Sequence, residues 1–154
     1  MRRMKSEKDK AGNPTIAVLL VQGLPDLLAL TKKCLLIQGD VVVETALSAD
    51  EAFTKMEKTK PDVIVCDLSF PSENNFHFLK RLREKGNDTP FISFAYDDEK
   101  DLVLKSLDLG ANGFVFKSSD AAGVYEGLKK LIVTLTLASR ETLRKKSQNC
   151  MCES

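Results

Sequence analysis

The chain has 154 residues, of which 43% are hydrophobic and 29% charged, and its formal net charge is +1. That length and balance suit one globular domain with a buried core. No apolar run approaches the roughly 18 residues of a membrane span, and the basic start Met1–Lys10 lacks the apolar stretch and cleavage site of a secretory signal. A cytoplasmic protein with no membrane partner is therefore the expectation.

The near-zero charge gives no electrostatic ground for a nucleic-acid partner. What basicity there is sits at the ends, in residues 1–10 and in Arg140, Arg144, Lys145 and Lys146, and short charged ends are ordinarily solvated. The four cysteines form no framework. Cys34 and Cys66 lie in apolar runs, Cys150 and Cys152 in a polar tail, and the single histidine is His77. That spacing matches no zinc pattern.

Along the chain, residues 1–13 read as a disordered lead, 14–137 as the folded domain, and 138–154 as a basic tail, either a helix extension or disordered. Within the domain, short apolar runs alternate with stretches of helical spacing. Ile16–Val21 reads as a strand, followed by a helix grouping Leu27, Leu28, Leu30, Cys34 and Leu35 that stops at Gly39. A second strand, Val41–Ala46, leads into a capping box, Ser48 to Glu51, and a helix carrying Ala52, Phe53 and Met56.

The third strand, Val63–Cys66, ends at Asp67. Its helix carries Phe76, Leu79 and Leu82, with the stem of Arg83 alongside, and breaks at Gly86. Phe91–Ala95 is the fourth strand, before a helix that starts at Asp97, groups Val103, Leu104 and Leu107, and ends at Gly110. Gly113–Phe116 is the fifth, before a helix that starts near Asp120 and carries Val124, Leu128, Leu131, Ile132 and Leu135. Glycine just past three of these helices fits the left-handed position that closes a helix. Near-continuous apolar strands between amphipathic helices predict a (βα)5 fold, a doubly wound five-stranded parallel sheet buried on both faces. In such sheets the functional crevice lies at the carboxyl ends of the strands.

There the strands deliver Gln22 and Gly23, Asp67, Ala95 and Tyr96, and Lys117. An acid and a lysine converging on one crevice form either a structural ion pair or a charged site; those two residues alone do not choose. The stretch Pro61-Asp-Val-Ile-Val-Cys-Asp67-Leu-Ser-Phe-Pro71 resembles the phosphoacceptor segment of response-regulator receiver domains. In that family a Pro follows the acceptor Asp by four residues and a Gly-type turn position comes four later. Asn75 stands there, a residue that tolerates the left-handed conformation. The resemblance continues in Thr89–Ala95, in Ala111–Lys117 and in the Ser48–Phe53 helix start, and covers residues 15 to about 136.

The resemblance implies a flavodoxin-like receiver fold and a role in two-component phosphorelay signalling. It matches Asp67 to the phosphoacceptor, Lys117 to the phosphate-binding lysine, Ser69 to the residue whose backbone carbonyl helps hold Mg²⁺, and Phe114 to the switch aromatic. Three family features are missing. Gln22 and Gly23 replace the acidic pair that holds Mg²⁺, Ala95 replaces the switch Thr or Ser, and Ser118 replaces the usual Pro. Ser93 shares the face of Ala95 but lies about 6.6 Å upstream, too far to stand in. Asp26, shortly beyond Gln22, and Asp98, past the fourth strand, could lean inward, though neither occupies a matching position.

A close charge contact is worth roughly 4 kcal/mol at an effective dielectric of about 20, about a thousandfold in rate. Mg²⁺ held without the acidic pair would be weak. The expectation is a pseudo-receiver that is not an enzyme beyond weak autophosphorylation, acting by contact with a histidine kinase, a phosphotransfer protein or another signalling protein. The alternative is a working phosphoacceptor at Asp67 with Mg²⁺. The face made by the fourth helix, fifth strand and fifth helix is the expected partner surface, including for a homodimer. Cys66 is expected in the core and His77 on the surface.

Overall fold

A computed structural model of the chain describes residues 2–3, 15–68, 72–117 and 121–152, with backbone alone at 2–3, 72–74, 121 and 147–152. The strands are β1 (Arg2–Arg3), β2 (Ile16–Val21), β3 (Val41–Ala46), β4 (Thr59–Lys60), β5 (Val63–Asp67), β6 (Phe91–Tyr96) and β7 (Gly113–Lys117). The helices are α1 (Pro25–Gln38), α2 (Ala49–Lys58), α3 (Ser72–Glu84), α4 (Lys100–Asp108) and α5 (Ala121–Cys152), with a 3-10 turn at Asp97–Glu99 before α4.

Five strands pair in parallel in the order β3-β2-β5-β6-β7. This is the doubly wound (βα)5 architecture expected from the sequence. β1 and β4 form a separate two-residue parallel pair, Arg2 beside Thr59 and Arg3 beside Lys60. The rest of the lead expected to be disordered lies outside the described residues.

Alternation along the strands divides the core in two. Val18, Leu20, Val63, Val65, Ile92 and Phe94 pack with Leu28 and Leu35 of α1 and with Leu128 and Ile132 of α5. The opposite face, with Leu19, Val21, Ile64, Cys66 and Phe91, meets Ala52 and Met56 of α2 and Phe78, Leu79 and Leu82 of α3. Both faces of the central strands are buried, which is why β2, β5 and β6 are apolar along most of their length.

Helix ends follow local chemistry. At α2 the Ser48 hydroxyl accepts from the Glu51 N–H at 3.1 Å, while the Glu51 carboxylate accepts from Leu47 N–H at 3.0 Å, one residue earlier than the expected box. Gly39, Gly86 and Gly110 have φ of 79°, 76° and 110°. At Gly110 a Cβ would also stand 3.0 Å from Arg83 Cγ.

Two helices differ from their expected apolar faces. Leu30 of α1 and Leu104 of α4 are 51% and 60% exposed, and the inward positions go to Thr31 and to Ser106. Both helices hold more apolar residues than one face accommodates. α5 continues to Cys152, well beyond the sheet, and Arg140 on it reaches Asp62 at 3.2 Å.

Candidate functional site

Strand register assembles the crevice. Val21 is level with Cys66, so the next residues, Gln22 and Asp67, stand side by side. Asp67 is level with Phe94, and Tyr96 with Lys117. Because side chains alternate between faces, Gln22, Asp67, Tyr96 and Lys117 all emerge on the α1/α5 side at the carboxyl end of the sheet.

There, two donors meet one oxygen. Lys117 Nζ lies 2.7 Å from Asp67 Oδ2, and Gln22 Nε2 donates to the same Oδ2 at 2.5 Å. The pair is well shielded, with side chains 4% exposed for Asp67 and 10% for Lys117. The Tyr96 ring centre stands 4.2 Å from Lys117 Nζ and that of Phe94 5.4 Å, so the ammonium also has two aromatic neighbours. The Asp67 backbone carbonyl accepts from Asn75 Nδ2. The Leu68 N–H donates to Phe94 O at 2.9 Å, fixing the chain as it leaves β5.

The remaining candidates fall as follows. Gln22, at an acidic-pair position, turns its nitrogen end to Asp67, and its buried Oε1 has no partner among the described residues. An amide beside a carboxylate must turn its N–H toward it, since two acceptors repel. Asn75 was expected at a left-handed turn position, but it lies within α3, outside the positive-φ residues, and serves by side-chain hydrogen bonding.

Ala95 is fully buried beside Leu68, Phe76 and Val103, on the other face of the sheet. Ser93 donates its hydroxyl to Ser106 at 2.7 Å, occupied away from the crevice. Phe114 is 43% exposed, its ring 5.1 Å from that of Phe116. Gly23, Asp26, Asp98 and His77 are exposed. Cys66 is in the core, where burial and then the Asp67 charge push its thiol well above the usual range. Ser69 and Ser118 lie outside the described residues. Among those described, no three His, Cys, Asp or Glu side chains gather as a metal site.

Sequence reasoning brought Tyr96 to the crevice but gave it no role beside Lys117, and it missed the hydrogen bonds of Arg83. The Arg83 guanidinium donates to Gly110 O, Asn87 O and Asn112 Oδ1, tying α3 to the turn before β7. The signal for Tyr96 was its place one residue past Ala95, level with Lys117 once β6 and β7 are paired.

A flavodoxin-like sheet with an aspartate–lysine pair at the carboxyl ends of β5 and β7 defines the class: a small doubly wound α/β domain with a charged crevice. The chain belongs to the response regulator receiver domain family, whose profile matches residues 18–129. It is thus a receiver domain of two-component signalling.

Among curated proteins it is 28% identical over 131 residues to protein-glutamate methylesterase/protein-glutamine glutaminase 1 of Caulobacter vibrioides, covering 84% of this chain and 38% of that protein. It is 26% identical over 123 residues to the fimbriae Z protein of Escherichia coli, covering 77% and 59%. The chain therefore spans about 38% and 59% of the length of these relatives. Among solved structures, the Francisella response regulator 1452 receiver domain superposes with a TM-score of 0.69 at 20% identity, covering 81% of this chain and 99% of that one. The chemotaxis response regulator CheY4 of Vibrio cholerae gives 0.66 at 22%, covering 77% and 98%. These two share the fold.

Proposed function

We propose that this receiver works as a protein-contact module in which phosphoryl transfer to Asp67 is impaired. The observation that carries the reading is the double occupancy of Asp67 Oδ2 by Gln22 Nε2 and Lys117 Nζ. A phosphoacceptor must present a carboxylate oxygen to phosphorus while other groups neutralise the incoming anion. Here the lysine matched to phosphate binding already neutralises the acceptor itself. Ala95 supplies no hydroxyl to a phosphoryl oxygen.

The family implies Mg²⁺, and the residues at this crevice do not suit it. Mg²⁺ takes hard oxygen ligands in octahedral geometry and is usually held by one or two carboxylates plus phosphate. The described side chains offer one carboxylate, already paired with an ammonium. Gln22 turns nitrogen toward it, Gly23 has no side chain, and Asp26 and Asp98 face solvent.

The partner in this reading is a histidine kinase, a phosphotransfer protein or another signalling protein, and the chain is a binding module rather than an enzyme. The face of α4, β7 and α5 supports that role, because Leu104 and Phe114 stand 60% and 43% exposed on it. A second copy of the chain is the other occupant considered there.

Intact-mass spectrometry after incubation with acetyl phosphate and Mg²⁺ tests the proposal, with Asp67→Ala as control. The expected result is no phosphoryl adduct on either chain. An adduct on the natural chain that is absent from Asp67→Ala would instead establish a working phosphoacceptor.

A further inference from the structure

We infer that Gln22 is a positioning residue whose amide takes the place of a divalent cation at Asp67 and, together with Lys117, makes the crevice refuse the metal. The inference rests on the reading above that the natural chain binds no Mg²⁺ at this site.

Three features support it. Gln22 Nε2 stands 2.5 Å from Asp67 Oδ2 and donates to it, placing the positive end of a fixed dipole where a cation would bind that oxygen. The lysine ammonium holds the same oxygen at 2.7 Å, so a divalent ion would have to approach against both. Gln22 is also held in place: it is 2% exposed, and its backbone N–H donates to Ala46 O at 3.0 Å. Its carbonyl oxygen stays buried with no partner among the described residues. The side chain is thus oriented to serve the carboxylate rather than its own acceptor.

The isosteric substitution Gln22→Glu reverses the chemistry at one point. It sets a second carboxylate oxygen where the nitrogen now stands 2.5 Å from Asp67 Oδ2. Two carboxylates so close share the single ammonium of Lys117 and leave an excess of negative charge. In millimolar Mg²⁺ that excess favours a divalent cation directly.

The test uses Mn²⁺ as a paramagnetic substitute for Mg²⁺ and reads broadening of the Asp67, Leu68 and Ala95 amide resonances in the whole chain. The natural chain is expected to show no selective broadening. Gln22→Glu is expected to bind at least about tenfold more tightly, with competition by Mg²⁺ and loss of the effect in Gln22→Glu/Asp67→Asn. Selective broadening in the natural chain would overturn the metal-free reading itself. A silent natural chain together with a silent, folded Gln22→Glu would overturn this inference alone.

A measurement on the natural chain covers the case in which Gln22→Glu does not fold. The Gln22 side-chain amide protons should exchange slowly with solvent and become fast in Asp67→Ala. Exchange at the rate of an exposed glutamine in the natural chain would overturn the inference.

Discussion

At Asp67 a carboxylate that is almost wholly shielded from water stands beside an ammonium and an amide, and each donor compensates part of its lost hydration. Removing one partner of such a pair costs more than the pair contributes, because the survivor is left buried. Lys117→Met is therefore expected to lower the unfolding free energy by about 2–4 kcal/mol in urea titrations. Adding Asp67→Asn to that chain should recover at least about half of the loss. A double variant no more stable than Lys117→Met would show that the two groups are not coupled.

This scale is where the sequence was least informative. Asp67 and Lys117 were legible because each ends an apolar run. Which end of the Gln22 amide faces Asp67, and that Tyr96 covers Lys117, depend on strand register and on a rotamer, and neither leaves a pattern in one sequence.

Helices and strands were legible almost throughout, because β-branched apolar runs and glycine stops carry direct physical meaning. The inward faces of α1 and α4 were harder to read. With apolar residues on more than one side, spacing alone did not show that Leu30 and Leu104 would face water. The start of α2 shows how a cap translates into pH dependence. The Leu47 N–H bonded to Glu51, aided by Lys55, holds that carboxyl below its ordinary value of 4.5 despite some desolvation. A depressed value means the contribution is present above 4.5 and is lost as pH falls through the lower folded value. Glu51→Gln should therefore narrow the gap in melting temperature between neutral and acidic pH; an unchanged gap would contradict the cap's role. At the end of α4, Gly110→Ala would meet a φ of 110° and Arg83 Cγ at 3.0 Å. A loss of about 1–3 kcal/mol is expected on equilibrium unfolding, and a neutral result would mean the Arg83 stem yields freely.

For the molecule as a whole, the crevice and the proposed partner face of α4, β7 and α5 share one strand. Lys117 ends β7 in the crevice, and Phe114 lies on that strand exposed to solvent. Leu104→Glu with Phe114→Ser is expected to leave the melting temperature nearly unchanged, since both side chains are already substantially exposed. The same variant should abolish capture of the cognate signalling partner, or self-association measured by light scattering; retention of both would move the partner surface elsewhere. The class of fold was legible at this scale because five strand–helix units of ordinary length leave few alternatives. The continuation of α5 to Cys152 was left open between helix and disorder, since residues 138–154 are polar and lack a strong apolar stripe.

The central claim is that the protein's own donors have replaced metal and phosphate chemistry at Asp67. Its most direct test is the amide spectrum of the uniformly labelled chain, recorded before and after addition of Mg²⁺ with beryllofluoride, which mimics a phosphorylated aspartate. Unchanged resonances for Gln22, Asp67, Ala95 and Lys117 are predicted. A saturable shift of those four, lost in Asp67→Ala, would contradict the account.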